Sequence, residues 1–115
     1  MIEIKHDIKE GFMAQFTFEG WKVAYISFSP QYDEMKVVKR HNLTDEVFVL
    51  LRGKATLYTC DSEIPDNFVE TTLEKEKTYN VKKGTWHHLK VSKDALLTVV
   101  ENSNTSKENT DIYEL

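Results

Sequence analysis

Apolar and polar residues alternate along most of this chain in short runs broken by turn-forming residues, and almost nothing supports a long amphipathic helix. A period of two puts successive side chains on opposite faces of a strand, so the chain is constrained to an all-β fold of short, half-buried strands. Ala14, Phe16 and Phe18 alternate with Gln15, Thr17 and Glu19, and Glu19-Gly20 can turn the chain into a second strand over 21–29. On that strand Ala24, Ile26 and Phe28 share one face and Tyr25, Ser27 and Ser29 the other, until Pro30, which lacks a donor, ends the pairing. Residues 31–36 read as a connecting loop. The unbroken apolar run 47–51 reads as a strand buried on both faces, and Gly53 marks a bend before strand 54–60. A surface loop is expected over 61–67, short strands at 71–73 and 78–81, and a last strong strand at 96–100. The polar C-terminal stretch, about 102–115, either lies ordered against the wall of the fold or frays.

Composition narrows the partners. A length of 115 residues suits one domain, 1–115, and 40% hydrophobic with 11% aromatic residues can fill one small core. The formal net charge of −4 argues against nucleic acid or an anionic membrane surface, both of which need a cationic face, and leaves small molecules or other proteins. The single cysteine, Cys60, cannot form an internal disulfide, and neither a signal-peptide pattern nor a membrane-spanning apolar run is present, so a cytoplasmic location is expected.

Two spacings carry the candidate chemistry: His41, four residues, Glu46, six residues, Gly53; and Gly84, two residues, His87. In a strand through 86–91, His87, Leu89 and Val91 point one way and Trp86, His88 and Lys90 the other. Lys90 marks the wet face, which puts His87 inside and His88 on the surface or at an interface. Glu46, beside an apolar run, is costly to bury unless paired, coordinated or protonated. Lys39 shares the face of His41 if that segment is extended. It then either pairs with Glu46, supplies a fixed cation for an anionic ligand, or snorkels out and leaves the site to its neighbours. Asp45 reads as an exposed turn residue, Trp86 as packing or dimer surface, and Cys60 as a buried small hydrophobe. Tyr25, Ser27 and Tyr58 are candidates to line a polar pocket, and His6 has no evident partner.

The segments 39–53 and 82–88 resemble the two sequence motifs of the cupin superfamily, with two departures: Lys39 stands where the first histidine of a His-x-His pair is usual, and Lys82 where a proline usually precedes Gly84 by two residues. The resemblance implies a single antiparallel β-barrel of the jelly-roll or double-stranded β-helix kind. It also implies a convergent site of His41, Glu46 and His87, suited to Fe, Mn, Ni or Zn with positions open to water or substrate. Cupins include enzymes and non-enzymatic sensors, so the fold leaves the reaction open. One expectation is a binding module in which Lys39, His41, Glu46 and His87 hold a small polar or anionic molecule. The alternative is a metal-assisted enzyme. Trp86-His87-His88-Leu89 followed by 94–99 is similar to a segment of ureidoglycolate lyases, which implies cleavage of ureidoglycolate to glyoxylate and urea. A third expectation is a packed interior with the role carried by a dimer surface. A homodimer is expected from the resemblance and from Trp86 and His88 facing outward.

Overall fold

The computed structural model describes residues 1–115. Ten strands follow in order: β1 (Phe12–Phe18), β2 (Trp21–Ser27), β3 (Val37–His41), β4 (Glu46–Arg52), β5 (Ala55–Cys60), β6 (Val69–Thr72), β7 (Thr78–Val81), β8 (Trp86–Val91), β9 (Leu96–Asn102) and β10 (Thr110–Glu114). They form two five-stranded antiparallel sheets, β1-β2-β9-β4-β7 and β10-β3-β8-β5-β6, in a jelly-roll-like arrangement. The sheets face each other without closing into one hydrogen-bonded cylinder. Single 3-10 turns at Pro30–Tyr32 and Lys107–Asn109 are the only helical segments, and no helix is long and apolar enough to cross a membrane.

The expected alternation holds where it positions the core. Ala24 and Ile26 from β2, Phe48 and Leu50 from β4, Leu57 from β5, Leu89 and Val91 from β8, and Leu97 and Val99 from β9 bury their side chains between the sheets. Each fully buried aliphatic or aromatic side chain of this size contributes about 1.5–3 kcal/mol of transfer free energy. The turn at Glu19-Gly20 forms as expected, with Glu19 at φ 47°. Gly53 takes φ 77°, and a Cβ there would stand 2.6 Å from the Ala95 Cα, so the bend needs both the left-handed conformation and the missing side chain.

Two local readings are corrected, and one pair of alternatives is decided. The run 47–51 is not buried on both faces: Phe48 and Leu50 point into the core, whereas Val47 and Val49 are half-buried and Leu51 is exposed. An antiparallel sheet with no layer on its far side buries only one face, and apolar content alone could not reveal that the other lay open. In β1 the register slips between Ala14 and Phe16, so Gln15 is buried while Phe18 is exposed. A bulge inserts one residue and reverses the parity beyond it. The C-terminal stretch does not fray, because β10 pairs with β3 along its whole length.

Candidate functional site

The residues singled out in the two motifs are drawn together by backbone contacts between the segments that carry them. Gly84, at φ 83°, donates its N–H to the His41 carbonyl at 2.8 Å. Asp45, exposed as expected, accepts from the Lys83 N–H at 2.8 Å and from the Asn80 side-chain amide at 3.0 Å. Those contacts hold its carboxyl below the usual carboxylate range, through the Asn80 and then the Lys83 hydrogen bond. One aspartate thus fastens the start of β4, where Glu46 sits, to the turn that leads into His87.

His41, Glu46 and His87 present their ligand atoms within 4.8 Å of one another. Glu46 Oε1 lies 3.2 Å from His41 Nε2 and 3.1 Å from His87 Nε2. The far nitrogens are also occupied: His87 Nδ1 is 3.1 Å from the Thr85 carbonyl, and His41 Nδ1 is 2.9 Å from the Thr110 hydroxyl. A carbonyl only accepts, so the Thr85 contact assigns a proton to Nδ1 of His87. Its Nε2 then either donates to the Glu46 carboxylate, making an imidazolium, or offers a lone pair into the site. Burial opposes ionisation of Glu46, but hydrogen bonds from His41 and His87 and their charges hold it well below the ordinary range. Burial likewise opposes the charged form of His87, and the hydrogen bond and charge of Glu46 outweigh it, leaving the imidazole above its ordinary value.

The donor set fits a divalent transition metal. Two Nε2 atoms and one carboxylate converge, and both imidazoles have their second nitrogen tied to an oxygen that fixes ring orientation, as metal-bound histidines usually do. His41, Glu46 and His87 would hold such an ion.

The cluster lines a cavity of about 610 Å³ between the sheets. Lys39 lines it too, because β3 pairs with β8 at Lys39↔His87 and so turns both side chains to the same face. Lys39 forms no ion pair with Glu46, whose partners are the two imidazoles. The charge of Lys39 nonetheless reaches His87 and opposes its protonation.

Two further cavity residues were not foreseen. Glu101 projects inward from β9 and is buried, with Lys22 Nζ at 3.1 Å. Register places it beside Glu46, since Val100 pairs with Val47. Burial first, then the charge and hydrogen bond of Glu46, raise the Glu101 carboxyl to about 7 against the pull of Lys22. Tyr32, from the 3-10 turn, has its phenol pushed up by burial and then by the charges of Glu46 and Glu101. The inward stripe Leu97, Val99, Glu101 mirrors the stripe Glu46, Phe48, Leu50 on the antiparallel neighbour, so a signal for Glu101 lay in the alternation itself. The Thr110–His41 contact spans 69 positions and had no local signature.

Other expected placements change. His88 is not a surface residue: it is buried, with Nε2 2.9 Å from the Asp33 carbonyl, and it borders the cavity alongside His87. Trp86 is also buried, donating from Nε1 to the Glu63 carbonyl at 3.2 Å beneath the Arg40 guanidinium, 4.4 Å from the ring centroid. Both lie on the outward side of β8, but loops of the same chain cover them, which removes their support for a dimer surface. Cys60 is buried, as expected, and its thiol donates to the Asp66 carbonyl at 3.0 Å. Tyr25, Ser27 and Tyr58 do not line the cavity.

Neither a family model nor a curated protein matches this sequence. Solved structures do match the fold. A Streptomyces Pac13 variant with uridine superposes at TM-score 0.69 with 10% identity, covering 100% of this chain and 93% of that one. The fold is cupin-like. A Bacillus halodurans protein, BH2720, superposes at 0.68 with 15% identity over 91% of this chain and 78% of its own. The Campylobacter jejuni TDP-fucose-3,4-ketoisomerase WlaRA superposes at 0.65 with 18% identity over 89% and 85%. At such identities the likeness speaks for the fold alone.

Proposed function

We propose that this protein binds a small polar or anionic molecule in the cavity between its sheets, against a floor formed by His41, Glu46 and His87. The observation that carries this reading is the pairing of a buried His–carboxylate–His cluster with Lys39, a cation on the same wall that no carboxylate neutralises. An anionic group on a ligand would satisfy Lys39, and the cluster offers it donors or a bound metal. A metal held by the cluster would polarise a ligand oxygen as a Lewis acid. The single unpaired Cys60 suits a reducing cytoplasm.

An enzymatic reading is favoured by Glu101. Glu101, buried beside the cavity and raised to about 7, suits a general acid or base, while Glu46 stays ionised and holds the two imidazoles. Pac13 is a nucleoside dehydratase and WlaRA a ketoisomerase of a nucleotide-linked sugar, which makes sugar-bearing molecules a reasonable first panel by analogy of fold. The ureidoglycolate-lyase reading rests on the sequence likeness at 86–89 and 94–99, and ureidoglycolate belongs in the same panel.

The test combines elemental analysis of tag-free protein purified without chelator with mass spectrometry of small molecules released on denaturation, each repeated on Glu46→Gln. Near-stoichiometric Fe, Mn, Ni or Zn that falls in the variant supports the metal-bearing form. A released organic anion that falls in Lys39→Met supports the binding reading. Failure of every panel compound to bind, with or without added metal, would sink it.

A further inference from the structure

The walls of the cavity change character along the strands. Register sets Lys22 of β2 opposite Glu101 of β9, and Glu101 beside Glu46 of β4; on the facing sheet Lys39 of β3 pairs with His87 of β8. These side chains make one polar level. One inward step away, about 6.8 Å along a strand, β4, β8 and β3 all turn apolar: Phe48 follows Glu46, Leu89 follows His87, and Val37 precedes Lys39. Ile26 and Phe12, paired directly across β2 and β1, line the cavity a further step on. Phe48, Leu89 and Ile26 belong to the main hydrophobic core, and Tyr32 packs against it. Gln31, Glu34 and Lys36, the charged and amide side chains that the 30–36 stretch brings to the cavity, are exposed and so stand at its mouth.

Charge within the polar level is unevenly settled. Glu46 is held by His41 and His87, and Glu101 by Lys22 at 3.1 Å, whereas Lys39 has no carboxylate within ion-pair distance. We infer, resting on the anion-binding reading above, that the cavity takes a monocarboxylate carrying an apolar chain or ring. Its carboxylate pairs with Lys39 at the polar level, and its body lies against Phe48, Leu89, Val37 and Ile26. One cation without a partner matches one negative charge. A second would stand near Glu46 and Glu101 with nothing to offset it. A polyol of the same length is disfavoured, because its hydroxyls would give up water against walls that offer them no hydrogen bond. The volume of about 610 Å³ falls within the roughly 300–1,000 Å³ usual for small-molecule sites, where apolar walls supply affinity and a few polar groups fix orientation.

Calorimetry of the unaltered protein with butyrate, hexanoate and octanoate, after chelator treatment and again with Zn(II), reads the apolar half without any variant. Affinity should rise about fourfold per added methylene until the chain fills the cavity, with a negative heat-capacity change and one molecule bound per chain. Gluconate, which shares the carbon number and carboxylate of hexanoate but carries hydroxyls along its length, should bind at least about 10-fold more weakly. Phe12→Ser should flatten the rise beyond butyrate, and Lys39→Met should weaken every member of the series by a similar factor. An affinity that ignores chain length, or gluconate binding as tightly as hexanoate, overturns the inference and leaves the cavity to a polar anion. Failure of all these anions and of the sugar-bearing panel to bind, with or without Zn(II), overturns the anion-binding reading and the inference with it.

Discussion

Thr110 and His41 stand directly opposite each other in the β10–β3 ladder, and the threonine hydroxyl lies 2.9 Å from His41 Nδ1. The contact leaves Nε2 aimed at Glu46. Replacing Thr110 by Val keeps the shape of the strand and removes the oxygen that holds the ring. Affinity for Co(II) or Zn(II), followed by absorption or calorimetry, should fall about 10-fold or more, the usual cost of losing the outer partner of a ligating histidine. An unchanged affinity would show that the ring is oriented by packing alone.

The Glu46–His87 contact makes stability depend on pH in a defined direction. His87 is raised in the folded state, so its contribution is fully present below the unfolded imidazole value and is lost as pH rises through the folded one. Glu46 is lowered, so its contribution is present above the unfolded carboxylate value and is lost only in strong acid. Both act together in mildly acidic solution. In chelator-treated protein, Glu46→Gln should therefore cost more at about pH 5.5 than at about pH 8.5, with a loss of about 3 kcal/mol at the lower value by denaturant titration. An equal cost at both values would contradict the pairing.

Glu101 adds a slope of the same sign for a different reason. Its folded value, about 7, lies above the ordinary carboxylate range, so the folded state binds the extra proton and stability falls as pH rises from that range toward 7. Glu101→Gln should flatten that part of the profile by up to about 2 kcal/mol, whatever the absolute cost of weakening the Lys22 contact. A profile parallel to that of the unaltered protein would place the Glu101 proton elsewhere.

Lys39 faces the cavity from the position opposite His87. Lys39→His replaces a cation by a fourth nitrogen donor and should raise affinity for Zn(II) at least about 10-fold, or about 1.4 kcal/mol. The same change should weaken binding of an anionic ligand in the absence of metal. A drop in metal affinity would mean that the new imidazole does not reach the cluster.

The inward parity of His87 was legible because Leu89 and Val91 follow it at a spacing of two with Lys90 between them, although every residue of β8 except Lys90 is buried. The same logic misplaced His88. Its outward side is correct, but outward means exposed only when no loop returns over the strand, and coverage by the 30–36 and 61–68 segments is a tertiary fact. The bulge at Gln15 defeated parity in β1, since nothing in the alternation marks where a residue is inserted. Glu46 announced its need for partners, yet Lys39 and the histidines were equally available candidates by spacing. Only the β3–β8 register and the Gly84–His41 hydrogen bond decide between them.

The cavity is built from two kinds of segment. The His–Glu–His cluster rests on paired strands fastened by Asp45, whereas Pro30, Gln31, Tyr32, Glu34 and Lys36 enter from one stretch between β2 and β3 whose 3-10 turn buries no residue of its own. The metal-donor cluster and the loop side of the cavity therefore lie in separate passages of the chain. Exchanging residues 30–36 should reshape that side of the cavity while His41, Glu46 and His87 stay in place, so affinity for Zn(II) should be unchanged by calorimetry. Such a division lets one scaffold acquire new ligands through changes in a single contiguous stretch.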